Sequence, residues 1–417
     1  MKVEAVELSG AGARRPSSRD RRRGRSAQDW FERLLARADI RVGGDRPWDM
    51  QLLGPNVAER VLAQGTVGLG ESYMDGHWRA ERLDEFFHHL VRAQMTLREH
   101  GPAAGTRPPV WHLLKARWLN RQTQRRAFQV AQAHYDLGND FYAAMLDTRM
   151  TYTCAYWAEG AATLDAAQEA KLELVCRKLG LQPGMRVLDI GCGWGSFMQY
   201  AAERHGVQCV GLTVSAEQVA LGRERCAGLP VVFHLMDYRD VPARLPALLP
   251  GGGRFDRVVS LGMFEHVGHK NYAAFMEVAL QALASDGLCL LHTIGRNEQG
   301  EGTDPWIDKY IFPNGELPTV ARIGRACEQR FVVEDLHNFG ADYDRTLMHW
   351  HANVEAAWPR FADRLGERFH RMWSYYLLSC AGAFRARDIQ LWQWVLSPHG
   401  VPGGYQRPGA PNPVRSA

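Results

Sequence analysis

Between Leu164 and Thr293, short apolar runs alternate with longer helical stretches. The runs predict strands at Arg186–Ile190, Gln208–Leu212, Val231–Leu235, Arg257–Leu261 and Leu288–Thr293, with a helix at Ala166–Leu179 ahead of the first. Strands that follow one another through helical crossovers lie parallel, and the helices then cover both faces of the sheet. The expectation is an α/β fold with a doubly wound, mostly parallel sheet. The chain has 417 residues, too many for one ordinary domain. Its first part reads differently, with helices expected at Asp29–Ala38, Pro55–Gln64 and Leu83–Glu99. Gly65, Gly68 and Gly70 are read as turns, and GPAAGTRPP at 101–109 as a linker.

Hydrophobic residues make up 46% of the chain and charged residues 23%, which excludes a wholly disordered or fibrous protein. No apolar stretch is long enough, and free enough of charge, for an integral span. The eight cysteines are never closer than the 16 residues from Cys176 to Cys192, so zinc-type spacing is absent. With no apolar signal segment at the start, scattered thiols fit a reducing cytoplasm. The net charge of +4 is unevenly spread: residues 1–26 hold eight basic groups against three acids. That arm is expected to be disordered, and either a plain solvated arm or one that holds anionic lipid or nucleic acid. Trp111 to Arg126 places Trp111, Leu114, Trp118 and Leu119 on one helical face, with five basic residues and no acid elsewhere. That pattern suits a membrane surface, or an ordinary packing helix between domains.

Residues 187–195 read VLDIGCGWG. An apolar strand delivers Asp189, and Gly191, Gly193 and Gly195 follow in G-x-G-x-G. Glycine permits the tight turn and lets a ligand approach the backbone. A nicotinamide-type G-x-G-x-x-G needs glycine at 196, where Ser196 stands. An acid two residues before the first glycine is instead the S-adenosylmethionine methyltransferase pattern.

Further blocks are HYDLGNDFY at 134–142, TYTCAYW at 151–157, MFEHVGHKNY at 263–272 and LHTIG at 291–295. GLGESYMDGHW at 68–78, KYIFPNG at 309–315, HNFGADYDRTL at 337–347 and CAGAFRARDIQLWQ at 380–393 extend the set. In these blocks, over roughly residues 28–397, the chain resembles the bacterial cyclopropane-fatty-acyl-phospholipid synthases, relatives of the mycolic acid cyclopropane synthases. The resemblance implies a Rossmann-like methyltransferase fold with a seven-stranded sheet and a small, mainly helical N-terminal domain. It divides the chain into an arm (1–26), a lipid-docking and dimerisation domain (27–128), a catalytic domain (129–397) and a flexible tail (398–417). For S-adenosyl-L-methionine it implies Tyr152 and Thr153 beside the methionine moiety, with Asp189 and the three glycines at the strand end. Thr213 and Gln218 supply polar contacts, and Asp237 and Tyr238 stand near the adenine, where Asp237 is alternatively a turn residue at a strand end.

The implied reaction adds a methylene from S-adenosylmethionine across the cis double bond of a phospholipid acyl chain, giving a cyclopropane ring. Methyl transfer to an alkene leaves a carbocation that must lose a proton before water reaches it, so a dry pocket is required. Trp194, Phe264 and Tyr310 are candidates for aromatic faces beside the cation. The resemblance implies bound bicarbonate as the proton acceptor, held by Glu265, His292 and Tyr343 and by backbone near Cys154, Ile294 and Cys380. Alternatives are Glu265 or His292 as the base itself, or Cys380 as a thiolate. His266 and His269 are read as structural, and His134, Tyr135 and Asp136 as lining the pocket entrance. Implied partners are a phospholipid bilayer, met from the cytoplasmic side, and a second copy of the chain; nucleic acid is not expected. A methyl-branched or heteroatom-methylated product is the alternative outcome, and a lipid-binding protein without catalysis is the alternative class.

Overall fold

The computed structural model describes residues 18–99, 137–157, 160–298 and 303–409. The linker at 101–109, the basic segment at 111–126 and the trio His134, Tyr135 and Asp136 lie outside these residues. So do residues 1–17 of the arm.

Seven strands form the main sheet: β3 (Arg186–Ile190), β4 (Gln208–Thr213), β5 (Val231–Leu235), β6 (Phe255–Leu261), β7 (Leu283–Arg296), β8 (Val332–Asn338) and β9 (Ile389–Ser397). Their order is β5-β4-β3-β6-β7-β9-β8. The first five are parallel, as the alternation predicts, and β9 runs antiparallel between β7 and β8. The five predicted strands are present, with β7 extended at both ends. β3 is buried from Val187 to Ile190, consistent with a central strand covered on both faces. The chain winds outward in opposite directions from β3 and β6, which creates a crevice at their carboxyl ends. Register aligns that edge: Asp189 pairs with Gly211 and Val259, and Leu261 with His292.

The N-terminal region is helical around a two-stranded ribbon of β1 (Gln51–Leu52) and β2 (Trp78–Arg79). Its helices are α1 (Ser18–Arg37), α2 (Val57–Gln64), α3 (Thr66–Met74) and α4 (Leu83–Glu99). Two expectations change here. The first helix begins at Ser18, so residues 18–26 of the arm are helical rather than disordered; arginine is a good helix former, and the repeated Arg does not interrupt the periodicity. Gly68 and Gly70 lie inside α3 rather than in turns. A Cβ on Gly68 would stand 2.1 Å from the Arg60 carbonyl oxygen, and one on Gly70 would stand 2.4 Å from the Trp306 ring, so these glycines serve close packing. Residues 398–409, expected to be flexible, are docked. The Tyr405 hydroxyl donates to the Lys178 carbonyl at 3.0 Å, and Arg407 Nε reaches both Asp335 oxygens at 2.9 Å.

The N-terminal helices pack directly on the part of the chain that carries the main sheet. α4 lies on the long helix Ala362–Ala386, where Gly382 faces the α4 backbone; a Cβ there would stand 2.6 Å from the Asp84 carbonyl and 2.7 Å from His88 N. Three residues on, Arg385 bonds Asp84 and Glu85 at 2.7 Å and both Asp344 oxygens at 2.9 Å. Burial opposes the Asp84 charge, but hydrogen bonds from Arg82 and Arg385 outweigh it and hold the carboxyl down at about 2. Because the contact at Gly382 is with backbone, Gly382→Ala is expected to lower unfolding stability by ~1–3 kcal/mol, measured by urea denaturation. Gly324→Ala, in a helix where the added Cβ meets nothing within 4 Å, should be neutral or slightly stabilising.

Candidate active site

The turn after β3 is built by its glycines. Gly191, Gly193 and Gly195 have φ of 87°, 56° and 84°, a region that L side chains avoid. A Cβ on Gly191 would also strike Met263, and one on Gly195 would strike Phe233. Gly191 and Cys192 N–H both bond the Leu212 carbonyl at 2.9 Å, which ties the loop to β4. Asp189 sits just before this loop, 2% exposed, with Oδ1 unpartnered. Burial raises its carboxyl to about 7, against the opposing pull of Lys171.

The loop opens into a cavity of about 580 Å³ that collects most of the sequence-predicted residues. Tyr152, Thr153, Asp189, Gly191, Gly193 and Gln218 line its cofactor side. Glu265, His292, Ile294, Tyr343 and Cys380 line it beyond the β6 and β7 ends. Leu69, Phe87, Leu90 and Val91 close one wall, so the N-terminal helices help to enclose the space.

Glu265 lies on a single 3-10 turn, Phe264–His266, just after β6. Its Oε1 accepts the Ile294 N–H at 2.6 Å, while Oε2 is buried without a partner. Burial dominates over that bond and raises the carboxyl to about 7. The Ile294 N–H is therefore engaged by Glu265 itself. His292, on β7, is 1% exposed and held well below its ordinary range by burial, with Lys171 and Lys178 adding to the effect. The neutral ring meets the Gln393 amide across β9 at 3.2 Å through Nδ1, and Nε2 has no partner. Where the Gln393 amide nitrogen donates to Nδ1, it is Nε2 that carries the proton. These unpartnered atoms, beside a glycine cradle, fit a polar ligand with both donor and acceptor groups. Burial also raises Cys380 to about 12, so its thiol is not an activated thiolate.

Other expected residues stand outside the cavity lining. Cys154 is fully buried, with Sγ 3.1 Å from the Ala155 carbonyl. Thr213 acts one step back: its hydroxyl donates to Gln218 Oε1 at 2.6 Å and so orients the glutamine that does line the space. Asp237 accepts Arg239 N at 3.0 Å and Arg239 Nη1 at 3.1 Å, which makes it the cap of a short turn, and Tyr238 packs on Phe275. Of the three aromatic candidates only Trp194 reaches the cavity. Phe264 stacks on Tyr272 in the core, and the Tyr310 hydroxyl donates to Glu71.

Sequence reasoning missed the supports. Glu316 takes His269 Nδ1 at 2.8 Å and Arg322 Nη1 at 2.5 Å, while its N–H bonds the Glu265 carbonyl at 2.8 Å, bracing the turn that carries Glu265. His269 is thus structural, as expected, whereas His266 lines the cavity with its ring edge-on to Phe312. Tyr152 and Tyr376 share a hydroxyl contact of 3.0 Å. No described helix is long and apolar enough to cross a membrane.

The chain is similar to known proteins in sequence and in fold. The model of the family described as mycolic acid cyclopropane synthetase matches residues 122–394. The chain is 50% identical over 379 residues to the cyclopropane-fatty-acyl-phospholipid synthase of Escherichia coli K12, covering 90% of this chain and 95% of that one. A cyclopropane synthase structure from Mycobacterium tuberculosis superposes with a TM-score of 0.59 at 32% identity, over 67% of this chain and 99% of that one. A mycolic acid cyclopropane synthase solved in complex with SAH and CTAB gives 0.59 at 34% identity, over 64% and 97%. The fold is that of the S-adenosylmethionine-dependent methyltransferases, and the chain belongs to the mycolic acid cyclopropane synthetase family.

Proposed function

We infer that this protein is a cyclopropane-fatty-acyl-phospholipid synthase that uses S-adenosylmethionine. The observation that carries the reading is Glu265: a buried carboxyl with one free oxygen, lining the cavity beside the glycine cradle. Family membership and the extent of the likeness to the Escherichia coli synthase support it. The cofactor supplies an electrophilic methyl group, and bicarbonate supplies the proton acceptor. Tyr152, Thr153, Asp189, Gln218 and the backbone at Gly191 and Gly193 would hold the cofactor. Glu265 Oε2 is free to accept a hydroxyl proton, and His292 Nε2 and the Tyr343 hydroxyl to donate, a set that suits an oxyanion carrying one proton. Fixing that group where the acyl cation forms is worth about 10²–10⁴ in rate. Leu69, Phe87, Leu90 and Val91 exclude water from the cation, which would otherwise give an alcohol.

The same reading has the enzyme dock on a bilayer from the cytoplasmic side, as a homodimer. The basic, tryptophan-bearing segment at 111–126 is the expected grip, each basic residue near the surface adding about 1 kcal/mol.

Incubation with S-adenosylmethionine and vesicles of cis-unsaturated phospholipid should add one CH2 to each converted acyl chain, with loss of the alkene, by mass spectrometry. Removal of bicarbonate should slow turnover; unaltered acyl chains under all conditions would refute the reading. Glu265 acts best as the hydrogen-bond acceptor for the bicarbonate hydroxyl when ionised, and burial raises its carboxyl to about 7. Activity should therefore rise with pH through about 7. Glu265→Gln should be slower by about 10²–10⁴ and lose that limb of the pH–rate profile.

A further inference from the structure

The helix Leu164–Lys178 carries a lysine that the chemistry above does not use. Lys171 is 0% exposed, and among the described residues no carboxylate lies within ion-pair distance of it. Its hydrogen bond goes to Thr153 Oγ1, at 2.7 Å. One turn earlier, Gln168 Nε2 holds the carbonyls of Thr151 and Thr153 at 3.2 and 2.8 Å. The helix thus fixes both the backbone and the hydroxyl of the segment that lines the cavity. The Thr153 methyl rests against Gly262, where a Cβ would stand 2.6 Å away.

An ammonium only donates, so Thr153 Oγ1 must accept from Lys171. The threonine keeps its own proton, for which the described residues supply no acceptor. A buried ammonium with one hydrogen bond is costly, and the Asp147 and Asp189 carboxylates offset that cost only through space, without a direct ion pair. Burial draws Lys171 down to about 8, which leaves it charged at neutral pH. Its charge is also felt at His292, which lines the same cavity.

We propose that Lys171 is a positioning cation: by occupying a lone pair of Thr153 Oγ1 it leaves the hydroxyl proton to donate into the cavity, and its charge favours a carboxyl-type oxyanion bound against Thr153 there. This rests on the reading that the cavity takes S-adenosylmethionine. Two ligands share that chemistry, the amino-acid carboxylate of the cofactor and bicarbonate, and the test separates them.

The full chain would be compared with Lys171→Met, Thr153→Val and Thr153→Ser. Calorimetry would use S-adenosylhomocysteine and its decarboxylated analogue, and kinetics would vary bicarbonate. If the cofactor carboxylate is the partner, Lys171→Met and Thr153→Val lose about 10-fold or more in affinity for S-adenosylhomocysteine and little for the decarboxylated analogue. If bicarbonate is the partner, its KM rises by a similar factor while both adenosyl ligands bind as before. Thr153→Ser keeps the hydroxyl and should match the parent in either case. Equal loss for both adenosyl ligands, or no change in any of these constants, overturns the proposal and leaves Lys171 a plain structural pin. Should Lys171→Met fail to fold, the near-isosteric Thr153→Val carries the same discrimination. A parent protein that binds neither adenosyl ligand and ignores bicarbonate overturns the reading of the cavity itself, and this proposal with it.

Discussion

Arg385 joins carboxylates from two distant parts of the chain: Asp84 and Glu85 on the N-terminal helix α4, and Asp344 on the helix after β8. Gly382, one turn earlier, lets the two backbones approach closely enough for those bonds to form. Asp84 is nearly buried, so leaving it without its arginines would cost several times what a surface pair contributes. The consequence reaches the chemistry. The face of α4 held in this way also supplies Phe87, Leu90 and Val91 to the cavity. The N-terminal helices are therefore part of the cavity wall.

Burial of the lining groups sets the electrostatics inside. Burial is the leading cause of the shifts at Asp189, Glu265 and His292, and it pushes each toward its neutral form. The backbone N–H of Ile294 returns part of that stabilisation to Glu265, which leaves the carboxyl near neutrality and responsive to a bound ligand. A neutral imidazole with one nitrogen engaged by Gln393 has a defined role for the other. In this account the dry wall and the titration of Glu265 have the same physical origin.

Much of this was legible in the residues because it is local. The parallel strands follow from short apolar runs between helical stretches, and Asp189 is readable from the glycine motif at a strand end, while Glu265 and His292 are named through the resemblance and fall on the same sheet edge. What was not legible depends on partners far away in the chain. Gly68 and Gly70 look like turn residues until Arg60 and Trp306 are seen against them. Lys171 has the spacing of any helical lysine, and only the fold buries it beneath Thr153. Asp237 stands at the expected strand end, but Arg239, two residues on, occupies it. The bracing of Glu265 by Glu316 joins positions 51 residues apart and has no sequence pattern of its own.

The central claim is that Glu265, buried at the wall of the cavity, serves the removal of a proton from the transferred carbon. S-adenosylmethionine with a trideuterated methyl group reports on that step directly. With cis-unsaturated phospholipid vesicles and bicarbonate, the account predicts acyl chains that gain one carbon bearing two deuteriums and lose their alkene. Retention of all three deuteriums would mean transfer without deprotonation at that carbon, and would contradict it.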